Sequence, residues 1–112
     1  MGAAAGYSPG VLNPTPIERL LDTRGRPYFL WDCDLTDSQF RTLLRSDDPA
    51  LRAALIGKLM RQAKPDDVFA YTSEAEIRAL WPQILPHLGN KRAFWVWLFD
   101  SWAALNTIQE PR

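Results

Sequence analysis

Few side chains in this sequence could carry a reaction. The only histidine, His87, lies in Leu85-Pro86-His87-Leu88 with no serine or cysteine nucleophile motif around it, so it offers no dyad. The only cysteine, Cys33, is flanked by Asp32 and Asp34. Two neighbouring carboxylates oppose thiolate formation, the reverse of what a nucleophile needs, and an inert thiol is expected. Asp32-x-Asp34 with Asp37 nearby looks like part of an acidic metal site. A Ca²⁺ loop needs more oxygens and a glycine at a fixed place, and Mg²⁺ chemistry would need further carboxylates from elsewhere. Asp47-Asp48 and Asp66-Asp67 read as helix-start acids, which the helix dipole favours. One Cys and one His cannot complete a zinc site, and the glycines are too scattered for a phosphate loop. The expectation is a chain with no catalytic residue, no metal and no cofactor.

Basic residues are the next candidates. Arg41, Arg45, Arg52, Lys58, Arg61 and Lys64 fall in two neighbouring predicted helices, and a helix-turn-helix is conceivable over 37–62, with Arg41, Arg45 and Arg61 as its nucleic-acid contacts. Two features oppose it. The net charge is zero, 13 basic against 13 acidic residues, whereas nonspecific nucleic-acid binding depends on a basic excess. The turn Ser46-Asp47-Asp48-Pro49 is acidic where a recognition helix would present its N-terminus to DNA. A DNA-binding regulator stands as the alternative reading.

The elements that must position these groups are helical. Lys91–Leu105 holds three of the five tryptophans. At 100° per residue Phe94, Trp95, Leu98, Phe99, Trp102 and Leu105 share one broad core-facing sector. Trp97 falls outside it, beside Asp100, Ser101 and Ala104, and is either covered by a loop or free to anchor a partner. Thr15-Pro16-Ile17-Glu18 reads as a capping box with Pro at the first helical position, and the Thr23–Pro27 stretch ends that short helix. Tyr28-Phe29-Leu30-Trp31 has no partner strand anywhere in the chain and reads as an extended segment packed on helices. Thr36–Gln39 and Ser73–Glu76 are further capping boxes. Asp48-Pro49 starts a helix to about Gln62, with Leu51, Leu55, Ile56, Leu59 and Met60 on one half and Gly57, Lys58, Arg61 and Lys64 opposite. Arg52 sits in the apolar half, either snorkelling past a helix end or paired with Asp32 or Asp34. Pro65–Tyr71 looks like one or two helical turns. Ile77, Leu80, Trp81, Ile84, Leu85 and Leu88 form a strong stripe, which Pro82 and Pro86 should kink near Trp81.

The chain of 112 residues suits one domain. The expected fold is all-α: a compact bundle of five to six short helices over 15–106, with a flexible arm over 1–14 and a frayed tail over 107–112. A single cysteine suits a reducing compartment, and neither a signal peptide nor a membrane span is expected, so the protein is expected in the cytoplasm.

Tyr28–Leu35, YFLWDCDL, leads into Thr36 and the Phe40-x-x-Leu43-Leu44 helix. Pro49–Ala53, Asp67–Thr72, Trp81-Pro82 and the aromatic Phe94–Trp102 follow. In order and spacing these resemble small helical bacterial proteins encoded beside nucleotidyltransferase-type toxins of the abortive-infection kind. The resemblance spans residues 28–105. It implies an antitoxin-like or accessory protein whose partner is that toxin, and no catalysis by this chain. Cys33 in a variable place and the long arm before Thr15 depart from the pattern. Phe29, Trp31, Asp32, Asp34 and Trp97 are then the candidate partner contacts.

Overall fold

The Asp48-Pro49 start does what its chemistry predicts. The Asp48 carboxylate accepts the Ala50 N–H at 3.0 Å, Pro49 occupies the first turn, and a helix runs over Pro49–Gln62 (α3) until Ala63 turns extended. The computed structural model describes residues 13–109, with side chains through residue 104. The expected arm therefore lies outside the described residues except for Asn13 and Pro14, and so do residues 110–112 of the expected tail. Within the described residues the protein is all-α, with one isolated antiparallel bridge between Leu21 and Pro27. The other helices are α1 (Ile17–Leu20), α2 (Asp37–Leu43), α4 (Pro65–Val68), α5 (Glu74–Ala79), α6 (Trp81–Ile84) and α7 (Arg92–Gln109). Three 3₁₀ turns, Tyr28–Leu30, Leu85–His87 and Gly89–Lys91, complete the described elements. No helix among the described residues is long and apolar enough to cross a membrane.

The three expected capping boxes fare differently. At α2 the box is complete: Thr36 Oγ1 accepts the Gln39 N–H at 3.2 Å and Gln39 Oε1 accepts the Thr36 N–H at 2.9 Å. At α5 half of it forms, because Glu76 Oε1 instead accepts the Thr72 hydroxyl at 2.7 Å. At α1 it does not form, since Thr15 binds Asp67 through both its hydroxyl and its N–H. The 77–88 stripe breaks where prolines remove backbone donors. Leu80 leaves helical geometry at φ −105° and ψ 13°, α6 restarts with Pro82 in its first turn, and the Leu85–His87 turn carries Pro86. One expected helix thus becomes two helices and a 3₁₀ turn, while its Ile77, Leu80, Ile84 and Leu88 stay buried.

Tyr28–Leu30 is a 3₁₀ turn rather than an extended segment. Its carbonyls need donor partners, and Gln62 Nε2 of α3 donates to Phe29 O at 2.8 Å.

Helix α3 is the central element, touching α4, α6 and all three 3₁₀ turns. The half of α3 expected to face solvent is partly covered. Gly57 is buried against the Leu85–His87 turn, and a Cβ there would collide with the His87 side chain. Arg61 Nη1 donates to His87 O at 2.6 Å over the same contact. Arg52 pairs with neither Asp32 nor Asp34. Its Nη1 donates to Ser46 O at 2.7 Å, and its Nε lies 3.7 Å from Glu76 Oε2.

Helix α7 lays its stripe on this frame. Trp95, Leu98, Phe99 and Trp102 are buried and Phe94 half-buried, as the periodicity predicts. The Trp95 indole N–H donates to Met60 O at 2.9 Å, which satisfies the one polar group of a fully buried ring. Its ring stacks on Phe99 with centroids 5.9 Å apart. The helix continues to Gln109, four residues past the expected boundary at Leu105.

Candidate partner-binding surface

The 28–34 segment is bolted down from within and below. Phe29 is fully buried, with Tyr28, Phe40 and Tyr71 edge-on to its ring at centroid distances of 5.4, 5.7 and 5.3 Å. Three residues on, Lys58 Nζ of α3 donates to Asp32 Oδ2 at 2.7 Å, and Gln62 Nε2 reaches Asp32 Oδ1 at 3.4 Å. The Lys58 ammonium holds the Asp32 carboxyl below its ordinary pKa. Between these anchors Trp31 points outward and is 75% exposed. A 3₁₀ turn repeats every three residues, so three successive side chains point three ways: Phe29 and Leu30 go inward and Trp31 out.

This geometry corrects one expected contact. Phe29 cannot touch a partner, because its ring lies entirely inside the core. Asp32 is exposed, and its carboxylate is paired with Lys58. Asp34 stays at the surface, with Arg26 at 3.2 Å and Arg24 at 3.8 Å. Arg26 also binds the Asp22 carboxylate at 2.9 Å, and Asp22 accepts the Arg24 and Arg26 N–H groups around a turn with Gly25 at φ +79°. Beside Trp31 this turn and α1 leave a groove of about 390 Å³, lined by Leu20, Leu21, Pro27, Leu30 and Cys33 among others. Ile17 of α1 is also exposed.

Trp97 is 56% exposed on α7, near Phe94 at a ring distance of 6.1 Å. Among described residues with side chains placed, Trp31 and Trp97 are the only strongly exposed aromatic rings. The arginines proposed for nucleic acid are divided. Arg41 pairs with Asp37 at 2.9 Å and Arg61 is held by His87 O and Gln62. Arg45 projects from the α2–α3 turn and is exposed.

Sequence reasoning missed two half-buried tyrosine networks. Asp67, only 2% exposed, accepts the Thr15 N–H at 2.7 Å, the Thr15 hydroxyl at 2.7 Å and the Tyr28 hydroxyl at 2.6 Å, while Asp66 accepts the Asn13 N–H at 3.1 Å. Burial, and then the hydrogen bond to Asp67, push the Tyr28 phenol up to about 12. The second network joins Tyr71, Asp37 and Arg41. The Tyr71 hydroxyl donates to Asp37 at 2.5 Å, and the Arg41 guanidinium carbon stands 4.2 Å from the Tyr71 ring centroid. Burial and Asp37 raise the Tyr71 pKa as well. A usable signal was present: a tyrosine within an apolar run needs a partner for its hydroxyl, and the nearby acid pairs were the available acceptors.

His87 packs on Gly57, and Cys33 lines the groove beside Trp31. Comparison with known proteins matches this chain to no protein family, no curated protein and no solved structure.

Proposed function

We propose that this chain is a non-catalytic, cytoplasmic protein-binding module, an antitoxin-like partner that binds and neutralises a nucleotidyltransferase-type toxin. The observation that supports binding is the outward placement of Trp31 on a turn fixed by Phe29 inside and by Lys58 and Gln62 beneath. A large ring with few rotatable bonds, carried on an anchored turn, loses less conformational entropy on docking than a long flexible side chain, and Trp is enriched at interface hot spots. Trp97 supplies a second exposed ring, from α7. The kind of partner comes from the resemblance carried by residues 28–105, and the compartment from the lone cysteine.

Co-expression with the nucleotidyltransferase encoded beside this chain tests the reading. A stable complex is expected on size exclusion. Trp31→Ala is expected to raise its Kd by about 30-fold or more, the scale of a hot-spot residue, with the melting temperature of the isolated chain nearly unchanged. Failure of the two proteins to associate would refute the toxin assignment. Association that is indifferent to both Trp31→Ala and Trp97→Ala would refute the surface.

A further inference from the structure

Beside the α2–α3 turn lies a polar cleft of about 410 Å³ that plays no part in the partner reading. Three arginines line it: Arg41 from α2, Arg45 from the turn and Arg52 from α3. Two of them are fixed in place. Arg41 is held by Asp37 at 2.9 Å, by Ala70 O at 3.3 Å and by the face of Tyr71. Arg52 is held by Ser46 O at 2.7 Å. A guanidinium carries five N–H donors, so each keeps donors, those of Nη2 among them, beyond the ones that meet Asp37 and Ala70 or Ser46 and Glu76. Arg45 is exposed, and its guanidinium makes no hydrogen bond or ion pair with any described residue.

The acids around the cleft do not cancel this arrangement equally. Both Asp37 oxygens accept bonds, from Arg41 and from Tyr71. Glu76 accepts the Thr72 hydroxyl at 2.7 Å and stands 3.7 Å from Arg52. With Arg41 and Arg52 so balanced, Arg45 is the cleft's one cation unpaired among the described residues, with the Asp47 carboxylate on the same turn. Asp47, exposed and also lining the cleft, has no such donor, and Asp48 follows it. Two carboxylates at the turn penalise a polymer of phosphates more than they penalise one small anion. The volume lies in the range of small-ligand sites, and the polar lining suits a ligand with little apolar body.

We propose that this cleft binds a single small oxyanion, a carboxylate or a phosphate monoester, between the fixed guanidinium edges of Arg41 and Arg52, with Arg45 as the closing donor. Forked N–H pairs match both oxyanions, and charge-assisted bonds of this kind are the stronger class. The proposal does not rest on toxin binding.

Arginine side-chain NMR of the isolated full chain tests it, titrating inorganic phosphate and, separately, succinate, each against sodium chloride of equal ionic strength. Saturable shifts of the Arg41, Arg45 and Arg52 Nε–H signals are expected with at least one anion. Saturation by phosphate alone, or by succinate alone, identifies the oxyanion class. Arg45→Ala is expected to weaken binding about tenfold, the loss of one charge-assisted hydrogen bond. The fold should persist, because that guanidinium holds nothing in place. Arg45→Lys should fall between, keeping the charge and losing the fork. Linear shifts that chloride reproduces would overturn the proposal, as would an Arg45→Ala chain that binds like the parent. Displacement of the anion by a far lower concentration of a DNA duplex would overturn it too, by making the cleft a nucleic-acid contact.

Discussion

Trp95 and Trp97 leave the same helix two residues apart and end in opposite environments. Trp95 is enclosed, stacked on Phe99 and hydrogen-bonded to the Met60 carbonyl, whereas Trp97 stands 56% exposed. The same residue type can hold this domain together or leave the fold indifferent, and only its angular position on the helix decides. Phe29 within the Tyr28–Leu30 turn and Trp31 just past its end repeat the lesson. Asp67 and Asp34 repeat it for a carboxylate, one sealed among three donors and the other at the surface beside two arginines.

Substitutions can break or sharpen this contrast. Trp95→Ala should have the largest effect, about 3–5 kcal/mol of lost stability by denaturant unfolding, from lost transfer energy and the cavity it leaves. A loss below about 1 kcal/mol would mean the α7 core is looser than its rings indicate. Asp67→Ala should follow, at about 2–4 kcal/mol, because the Tyr28 hydroxyl and the Thr15 N–H and hydroxyl lose one shared acceptor. Asp67→Asn, which keeps a carbonyl oxygen, should lose less, and equal losses would point to the charge rather than the hydrogen bonds. Gly57→Ala should cost about 1–3 kcal/mol through overpacking on His87, although alanine is the better helix former by about 1 kcal/mol. A stabilised Gly57→Ala chain would show that the Leu85–His87 turn yields.

The alkaline limb of stability reports on the two tyrosine networks. The Tyr28 pKa is about 12 in the folded chain against an ordinary value of 10.0, so the folded state holds that proton more tightly. Its contribution is fully present below about pH 10 and is lost as pH rises from about 10 to about 12. Tyr71 acts in the same direction. With solvent screening of these half-buried groups, a fall on the order of 1 kcal/mol is expected in thermal melts across that window, and Tyr28→Phe should flatten it. A parent chain with a level profile from pH 9 to 12 would break this account. Smallest of all, Trp97→Ala should change stability by no more than about 0.5 kcal/mol. A loss approaching that of Trp95→Ala would erase the contrast between the two faces of α7.

Local chemistry was the legible part. Asp48-Pro49 marked the start of α3 and Thr36–Gln39 that of α2, because a cap is made within four residues. The periodicity of 94–102 picked the buried face of α7 and left Trp97 out of it. Reasoning failed where a distant group competed for a local one. Asp67 takes the Thr15 hydroxyl that would have capped α1. Gly57 seemed to belong to a polar face because glycine carries no side chain to register in a hydrophobic pattern, yet that bareness is what admits His87. Four apolar residues in a row, Tyr28–Trp31, carry no periodicity, so an extended chain and a 3₁₀ turn could not be told apart. Of the candidate surface, Trp31, Asp32, Asp34 and Trp97 are exposed, with Asp32 paired to Lys58 of α3, and Phe29 belongs to the core.

The clasp between Thr15 and Asp67 also sets a timetable. Its two ends lie 52 residues apart, so during synthesis at roughly 5–20 residues per second Thr15 waits roughly 3–10 s before its acceptor exists. Loops of that span also close late relative to helices. Through this interval Tyr28 has no hydrogen-bond acceptor at position 67 and Thr15 is not yet tied down, so the segment around Thr15 should be among the last parts of the nascent domain to acquire protection from proteases.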